Sequence, residues 1–386
     1  MMTTNDARFE RIFGRETDED RRVKENPGVV AYGETWWREH YHWLQRSGYQ
    51  LRPRYHPDWV SPWEGTHKDY NDFEEGQRIL RYSLMDATQI HDNDSTYVML
   101  KKISPPASGA VSEELDINEY LSSEPQAFDS RNPAAQRLEV LDVPDDKTLK
   151  ILVMPLLRPF DDPPFETFGE AVAFFTQLFE GLKYLHDHRI AHRDCTRGNI
   201  MMGADKLYPK AWHPSAISRR RDWLGKAKHY TRTQRPVRYY FIDFGLSKRY
   251  QSADTPHLEL PVHGGDKSAP EHQEKHYNTP CDPFCTDIYY VGNLIREQFL
   301  QKYRGFGFME RLVSDMVEDD PSKRPNIGQV VLRFETIREH LSAWKLHTRL
   351  AQCGESTIMG LCKLPFRLAY TSCSMVFLKP ATFDVL

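Results

Sequence analysis

The chain has 386 residues, a formal net charge of −4 and a sequence pI of about 6.5. This near-neutral balance argues against nucleic acid or an anionic membrane surface as the main partner, and 39% hydrophobic with 27% charged residues is ordinary for a globular protein. The length allows a large core without disulfide or metal cross-links, and no apolar run is long enough to span a bilayer.

The first 29 residues are polar and charged and lack the apolar segment of a signal peptide. We predict that they are disordered and that the protein lies in the cytoplasm or the nucleus. The six cysteines include no C-x-x-C pair, so reduced thiols are expected rather than a zinc site.

Apolar periodicity predicts the elements that follow. A helix with an aromatic face is expected at 33–48. Strands are expected at 78–90, 95–103, 149–154, 199–202 and 238–242. Helices are expected at 112–122, 166–188, 286–301, 307–317 and 327–345. Because strands dominate the first part and helices the second, the pattern favours an α+β protein with two lobes.

Residues 192–199 read His-Arg-Asp-Cys-Thr-Arg-Gly-Asn, after a long amphipathic helix and before a short strand. This stretch resembles the H-R-D-x-x-x-x-N catalytic loop of eukaryotic-type protein kinases. The resemblance implies that Asp194 is the catalytic carboxylate beside the acceptor hydroxyl and that Asn199 helps to hold magnesium.

A second resemblance is carried by Asp243, Phe244 and Gly245, which follow an apolar run and match the D-F-G motif. It implies that Asp243 binds magnesium. Lys101 ends an apolar strand, like the lysine of V-A-I-K, and Lys102 is expected on the opposite face.

In the family, this lysine contacts the α- and β-phosphates and pairs with a glutamate on the next helix. Glu114 fits that helix position best. Glu113 stays open, because it would place Ile117 rather than Asn118 at the inward position four residues on.

Three further matches carry structural roles in the family. They are Ala269-Pro270-Glu271, Asp287 to Gly292, and Pro321 to Pro325. They imply an ion pair between Glu271 and Arg324, and a buried helix beneath the catalytic loop.

Seven such elements occur in family order over about 80–343. They imply the bilobal protein-kinase-like α+β fold, with a small β-rich N-lobe and a larger helical C-lobe. The N-terminal segment, the insert and the tail look most like those of fungal kinase-like proteins.

This resemblance predicts four regions along the chain. Residues 1–77 are an N-terminal extension with the aromatic helix, 78–157 the N-lobe and 158–345 the C-lobe, and 346–386 form a tail. The C-lobe carries an insert at 203–237.

The resemblance implies ATP and Mg²⁺ as cofactors. Met154 falls at the gatekeeper position, and the Pro155 carbonyl and the Leu157 N–H are expected to bind adenine. A proline at the first hinge position loses only an N–H that would be unused.

Two departures bear on activity. No glycine occurs between Gly76 and Gly109, so the glycine-rich phosphate loop is missing, and the turn at 91–94 replaces it or lies near it. Thr196 and Gly264 stand where serine/threonine kinases carry a lysine and a threonine. Arg197 is a candidate for the missing charge, although its offset fits neither acceptor class.

We therefore expect a protein kinase with a protein substrate, serine or threonine being favoured over tyrosine. A pseudokinase that serves as a binding or scaffold module is the alternative. A small-molecule kinase is disfavoured by Glu271 and Arg324. Oligomeric state stays open.

Two regulatory hypotheses remain. The basic insert is expected to be a solvated loop, with a docking surface for an acidic partner as the alternative. Its basic residues are Arg219, Arg220, Arg221, Lys226 and Lys228. Arg193 suggests control by a phosphate on the activation segment, for which Ser247, Ser252 and Thr255 are the candidates.

Overall fold

The structure is a computed structural model. It describes residues 28–79, 81–90, 96–104, 112–251, 257–262, 264–273 and 276–355, with short stretches at 365–366, 369–372 and 375–376. The chain is of the mixed α/β class and divides into two compact units. The first comprises residues 1–110, 137–157 and 208–229, and the second comprises 111–136, 158–207 and 230–386.

An antiparallel five-stranded sheet forms the first unit. Its strands are β1 (Tyr49–Leu51), β2 (Leu84–Gln89), β3 (Thr96–Ile103), β4 (Glu139–Asp142) and β5 (Lys150–Pro155). Their spatial order is β1-β2-β3-β5-β4. Alternate residues of β3, Val98 and Leu100, are fully buried, whereas β5 buries three residues in succession, 151–153. The strands predicted from periodicity are thereby confirmed, although β2 is shorter than 78–90.

Two short helices pack on this sheet, α1 (Tyr32–Glu39) and α2 (Tyr41–Arg46), so the helix predicted at 33–48 is interrupted at His40. The Lys102 ammonium lies 4.9 Å from the ring centroid of Trp36 and 5.4 Å from that of Trp37. These cation–π contacts place Lys102 on the helix-covered face. Since side chains alternate along a strand, Lys101 lies on the other face.

Two connections of the sheet bear on the missing glycine-rich loop. The turn at 91–94 joins β2 to β3 and lies outside the described residues. The connection between the first two strands is instead residues 52–83, with short 3₁₀ turns at Tyr70–Asp72 and Glu74–Gly76. A tight glycine turn does not link these strands, because β1 is separated from β2 by this long segment.

Part of the basic insert belongs to the first unit. Arg221 donates to the buried Asp86 carboxylate at 2.8 Å and lies over the Tyr97 ring. His213 is fully buried, with Nε2 2.8 Å from Glu74. The expectation of a solvated loop is therefore wrong for Arg221. It holds for the exposed side chains Arg219, Lys226 and Lys228.

The second unit is mainly helical. Its helices are α3 (Glu113–Ser122), α4 (Phe168–Asp187), α5 (Pro283–Ile295), α6 (Gly307–Met316), α7 (Ile327–Glu339) and α8 (Ala343–His347). Its short strands are β6 (Arg158–Pro159), β7 (Ile190–Ala191), β8 (Ile200–Met202), β9 (Tyr239–Phe241), β10 (Lys248–Arg249), β11 (Tyr303–Arg304) and β12 (Ala351–Gln352).

The predicted helices of this unit are confirmed, except that 327–345 divides into α7 and α8. Aromatic side chains of α4, Phe174 and Phe175, pack against Phe299 in its core. Within the described ranges, no helix combines the length and the apolar character that a bilayer crossing requires.

Candidate active site

A buried carboxylate holds the predicted catalytic loop. Asp287, on α5, is fully buried and accepts the backbone N–H of His192 at 2.8 Å and that of Arg193 at 2.7 Å. Arg193 has a φ of +66°, a conformation that costs a non-glycine residue free energy. The two hydrogen bonds to Asp287 stabilise this strained turn and so fix the direction in which the loop continues.

His192 links the loop to the strand before Asp243. Its Nε2 lies 3.1 Å from the carbonyl oxygen of Ile242, and its Nδ1 is 3.3 Å from the backbone nitrogen of Asp194. Burial lowers the pKa of His192, so the ring is neutral at physiological pH. A neutral ring satisfies both contacts by donating from Nε2 and accepting at Nδ1.

Both carboxylate oxygens of Asp194 are held by donors. The Asn199 amide donates to Oδ2 at 2.7 Å and to the Asp194 carbonyl at 2.9 Å, and the backbone N–H of Gly265 donates to Oδ1 at 2.9 Å. These bonds fix the plane of the carboxylate. Asp194 itself stays partly exposed, as a group that meets a substrate must be.

The glycine pair at 264–265 lets the backbone approach the Asp194 carboxylate closely. A Cβ on Gly264 would sit 2.9 Å from Asp194 Oδ1, so a side chain there would displace the carboxylate. A Cβ on Gly265 would lie 3.3 Å from the Thr196 hydroxyl. The donor to Asp194 Oδ1 is therefore a backbone N–H. Sequence reasoning missed it, because a backbone N–H leaves no residue signature.

The backbone brings the two predicted magnesium ligands close together. Strands β8 and β9 pair in antiparallel fashion, and the Ile242 N–H continues the ladder to the Asn199 carbonyl at 3.0 Å. Asn199, just before β8, therefore adjoins Asp243, which comes just after Ile242.

The donor atoms also suit magnesium. Because the Asn199 amide nitrogen is used on Asp194, its oxygen is the atom left for a cation. Amide and carboxylate oxygens are ligands that Mg²⁺ accepts. Two protein ligands fit a cation that phosphate and water oxygens also hold, although in the described part of the chain no group of three His, Cys, Asp or Glu forms a metal site.

Burial on α3 distinguishes the two candidate glutamates. Glu114 is 8% exposed whereas Glu113 is exposed, which favours Glu114 as the inward residue. A Cβ on Gly245 would lie 3.2 Å from Asp243 and 3.4 Å from Glu114, so both carboxylates border this glycine. Asn118 is also buried, and its amide nitrogen donates a hydrogen bond to the Glu114 carbonyl at 2.7 Å.

The residues predicted to bind phosphate and adenine lie in the first unit. Lys101 pairs with Leu84 and Leu152 in the sheet. Since the Leu156 N–H donates to Tyr97 at 3.2 Å, Val98 and Pro155 form a non-hydrogen-bonded pair, and the Pro155 carbonyl points away from β3. That orientation leaves the carbonyl available as an acceptor. The roles of Lys101, Met154, Pro155 and Leu157 stay predictions.

Two sequence expectations near the loop require correction. Arg197 does not supply a free charge, because it donates to Asp161 through Nε at 2.8 Å and Nη2 at 2.7 Å. Ser247 is 1% exposed and its hydroxyl donates to the His192 carbonyl at 2.9 Å, so it is unsuitable for phosphorylation. The other two candidates, Ser252 and Thr255, lie outside the described residues.

The predicted ion pair between Glu271 and Arg324 is confirmed. The two side chains form a bidentate contact with N···O distances of 2.6 and 2.9 Å, and Thr286 also donates to Glu271. Both residues are buried. The pair ties the turn before α5 to the turn before α7 and touches none of the predicted catalytic side chains.

No protein-family model matches the chain, and no curated protein matches it either. The motif order and the geometry around Asp194 therefore carry the functional proposal.

Proposed function

We propose that the chain is an ATP-dependent protein kinase of bilobal fold that transfers the γ-phosphate of ATP to a protein hydroxyl, serine or threonine in preference to tyrosine. The observation that supports this most is that the Asp194 carboxylate is held between two donors, the Asn199 amide and the Gly265 N–H. A catalytic carboxylate must be oriented before the substrate arrives, and these donors hold it in place. The proposal includes a cytoplasmic or nuclear location.

Each residue has a definite role in this proposal. Asp194 orients the acceptor hydroxyl and takes its proton, while Asn199 and Asp243 hold Mg²⁺ through their oxygens. When bound, Mg-ATP supplies the transferable phosphoryl group and neutralises its charge. Lys101, paired with Glu114, contacts the phosphates. The hinge around Met154, through Pro155 and Leu157, binds adenine.

A pseudokinase that serves as a binding or scaffold module is the second candidate. It is favoured by the connection at 52–83 between β1 and β2, where an active kinase carries a short glycine turn over the phosphates. Thr196 in place of a lysine also favours it. The retained residues Lys101, Asp194, Asn199 and Asp243 oppose it.

The test compares wild type with Asp194→Asn, using labelled Mg-ATP and a mixed protein substrate. Loss of a general base is expected to lower the rate of labelling about 10²–10⁴-fold. Asp319→Asn, at an exposed carboxylate, is the matched control. Equal labelling by wild type and Asp194→Asn, or none by either, would exclude the kinase. A nucleotide thermal-shift assay then shows whether a pseudokinase still binds ATP.

A further inference from the structure

The chain that follows Gly245 is fixed to the strand leading into the catalytic loop. Strand β10 pairs with β7, Lys248 lying opposite Ala191. The Tyr250 N–H donates to the Arg189 carbonyl at 3.0 Å, and the Arg189 guanidinium donates to Gln251 at 2.8 Å. Lys248 therefore projects from a backbone of well-defined position close to the catalytic loop.

Glu259 meets this lysine from the next described segment, 257–262. Its backbone forms two hydrogen bonds with Cys281, of 2.9 and 2.8 Å, in an antiparallel bridge. Its carboxylate lies 2.5 Å from the Lys248 ammonium, and the two side chains are 22% and 34% exposed. Burial, together with the negative charge of Glu259, raises the pKa of Tyr250. The pair is partly shielded from water, which strengthens its attraction.

Arg193, in the predicted catalytic loop, also binds the 257–262 segment. Arg193 Nη2 donates to the Leu260 carbonyl at 2.8 Å, one residue beyond Glu259. Five residues after Leu260, the Gly265 N–H reaches Asp194. Arg193 thus binds a backbone carbonyl of the 257–262 segment, and Lys248 binds a carboxylate of the same segment.

We propose that Glu259 is a positioning residue: through its ion pair with Lys248 it holds the segment that carries Gly265 against the catalytic loop, so that Asp194 is oriented without any phosphorylated residue. This inference rests on the proposed kinase function. Its physical basis is that the Glu259 carboxylate supplies a permanent negative charge to Lys248, while Arg193 holds the adjacent Leu260 carbonyl. Because the charge is encoded in the sequence, activity does not await a modifying enzyme.

The experiment uses the full chain after phosphatase treatment. Glu259→Gln keeps the shape of the side chain but removes its charge, and the double variant Lys248→Glu/Glu259→Lys restores the pair with reversed charges. We expect Glu259→Gln to lower kcat about fivefold with little change in the KM for ATP, as suits a partly exposed pair. The reversed pair is expected to recover at least half of the lost kcat. Glu310→Gln, at an exposed glutamate, is the matched control.

Hydrogen exchange of the amides at 257–262 and 264–265 gives a readout that needs no activity. Exchange about fivefold faster in Glu259→Gln, and slower again in the reversed pair, supports the inference even where wild type and Asp194→Asn are equally inactive. In that case only the kinase proposal fails. Unchanged exchange and unchanged kcat in Glu259→Gln would overturn the inference. So would loss of activity on phosphatase treatment or in the Ser252→Ala/Thr255→Ala variant.

Discussion

The Asp194 carboxylate receives one hydrogen bond from a side chain and one from the backbone, and the two differ in how they respond to mutation. The Asn199 amide can be removed by substitution. The Gly265 N–H cannot, but its approach depends on the absence of a side chain at Gly264. At the scale of single residues, the glycine is therefore as important to the carboxylate as the asparagine is.

Gly264→Ala tests this dependence. The added methyl carbon would sit 2.9 Å from Asp194 Oδ1, closer than real contacts allow, so the carboxylate or the segment must move. A displacement of this kind is expected to lower kcat by about tenfold or more, with the KM for ATP little changed. Steady-state phosphotransfer kinetics with a saturating protein substrate would measure it.

Gly354→Ala is the control, because a Cβ at Gly354 meets no atom within 4 Å. Thermal melts of both variants would show whether the fold is intact. Wild-type kcat in Gly264→Ala would show that the close approach of this segment to Asp194 does not matter for the reaction.

At the scale of elements, the pair of Glu271 and Arg324 joins the turns that precede α5 and α7. Glu271→Gln leaves the Arg324 guanidinium buried without its counter-charge, although Glu318 and Cys285 still offer it backbone carbonyls. Breaking a buried pair on one side is expected to lower the free energy of unfolding by about 3 kcal/mol. Denaturant titration at pH 7 would measure the loss.

The same variant should show a characteristic pH dependence. Burial alone would raise the pKa of Glu271, but the bonds from Arg324 outweigh it, so the pKa is lowered from the ordinary 4.5. A lowered pKa means that the stabilisation is complete above pH 4.5 and is lost as the pH falls through the lower folded value. The difference between wild type and Glu271→Gln should therefore shrink below pH 4.5. A difference that stays constant down to pH 3 would contradict this cause.

The sequence predicts secondary-structure elements well where the apolar pattern is long. It predicts them poorly where an element forms only because it pairs with a distant segment. Helix α4 has twenty residues of regular apolar spacing, and its bounds are predicted within two residues. Strand β1 has only three residues and forms because Tyr49 to Leu51 pair with β2. No local pattern indicates such a strand, and so the sequence does not predict that residues 52–83 connect the first two strands of the sheet. The same limit applies at the site: Asp194, Asn199 and Asp243 follow from motifs, whereas Gly265 and Glu259 depend on contacts between segments.

At the scale of the molecule, the two units are not continuous in sequence. Residues 208–229 belong to the first unit because Arg221 pairs with Asp86 and His213 with Glu74, contacts that join residues more than 130 positions apart. Helix α3 belongs to the second unit. From the sequence alone, the basic run and His213 look like surface features, because their acidic partners lie far away along the chain. A unit built from three separate stretches of sequence cannot be described by one start and one end.

The described residues include three buried histidines whose pKa is lowered, His192 and His347 in the second unit and His213 in the first. The groups that face His213 are Glu74, Arg52 and Asp86. Burial lowers the pKa of His213, and the bond to Glu74 only partly offsets it. The ring therefore stays neutral, its Nε2–H donating to Glu74 while Nδ1 accepts the N–H groups of Ser215 and Ala216.

This arrangement predicts that stability falls as the solution is acidified. Near pH 6.5 the unfolded chain binds a proton at each of these histidines while the folded chain does not. The free energy of unfolding therefore increases as the pH rises through this range and decreases as the pH falls. His213→Gln offers the same donor and acceptor without titrating. The slope of unfolding free energy against pH between 5 and 7 should become shallower, by at most about 1.4 kcal/mol per pH unit, the value for one proton.

His67→Gln, at an exposed histidine of the same unit, should leave the slope unchanged. Because His192 still titrates, a slope remains in His213→Gln; a slope equal to that of wild type would show that His213 is protonated alike in both states.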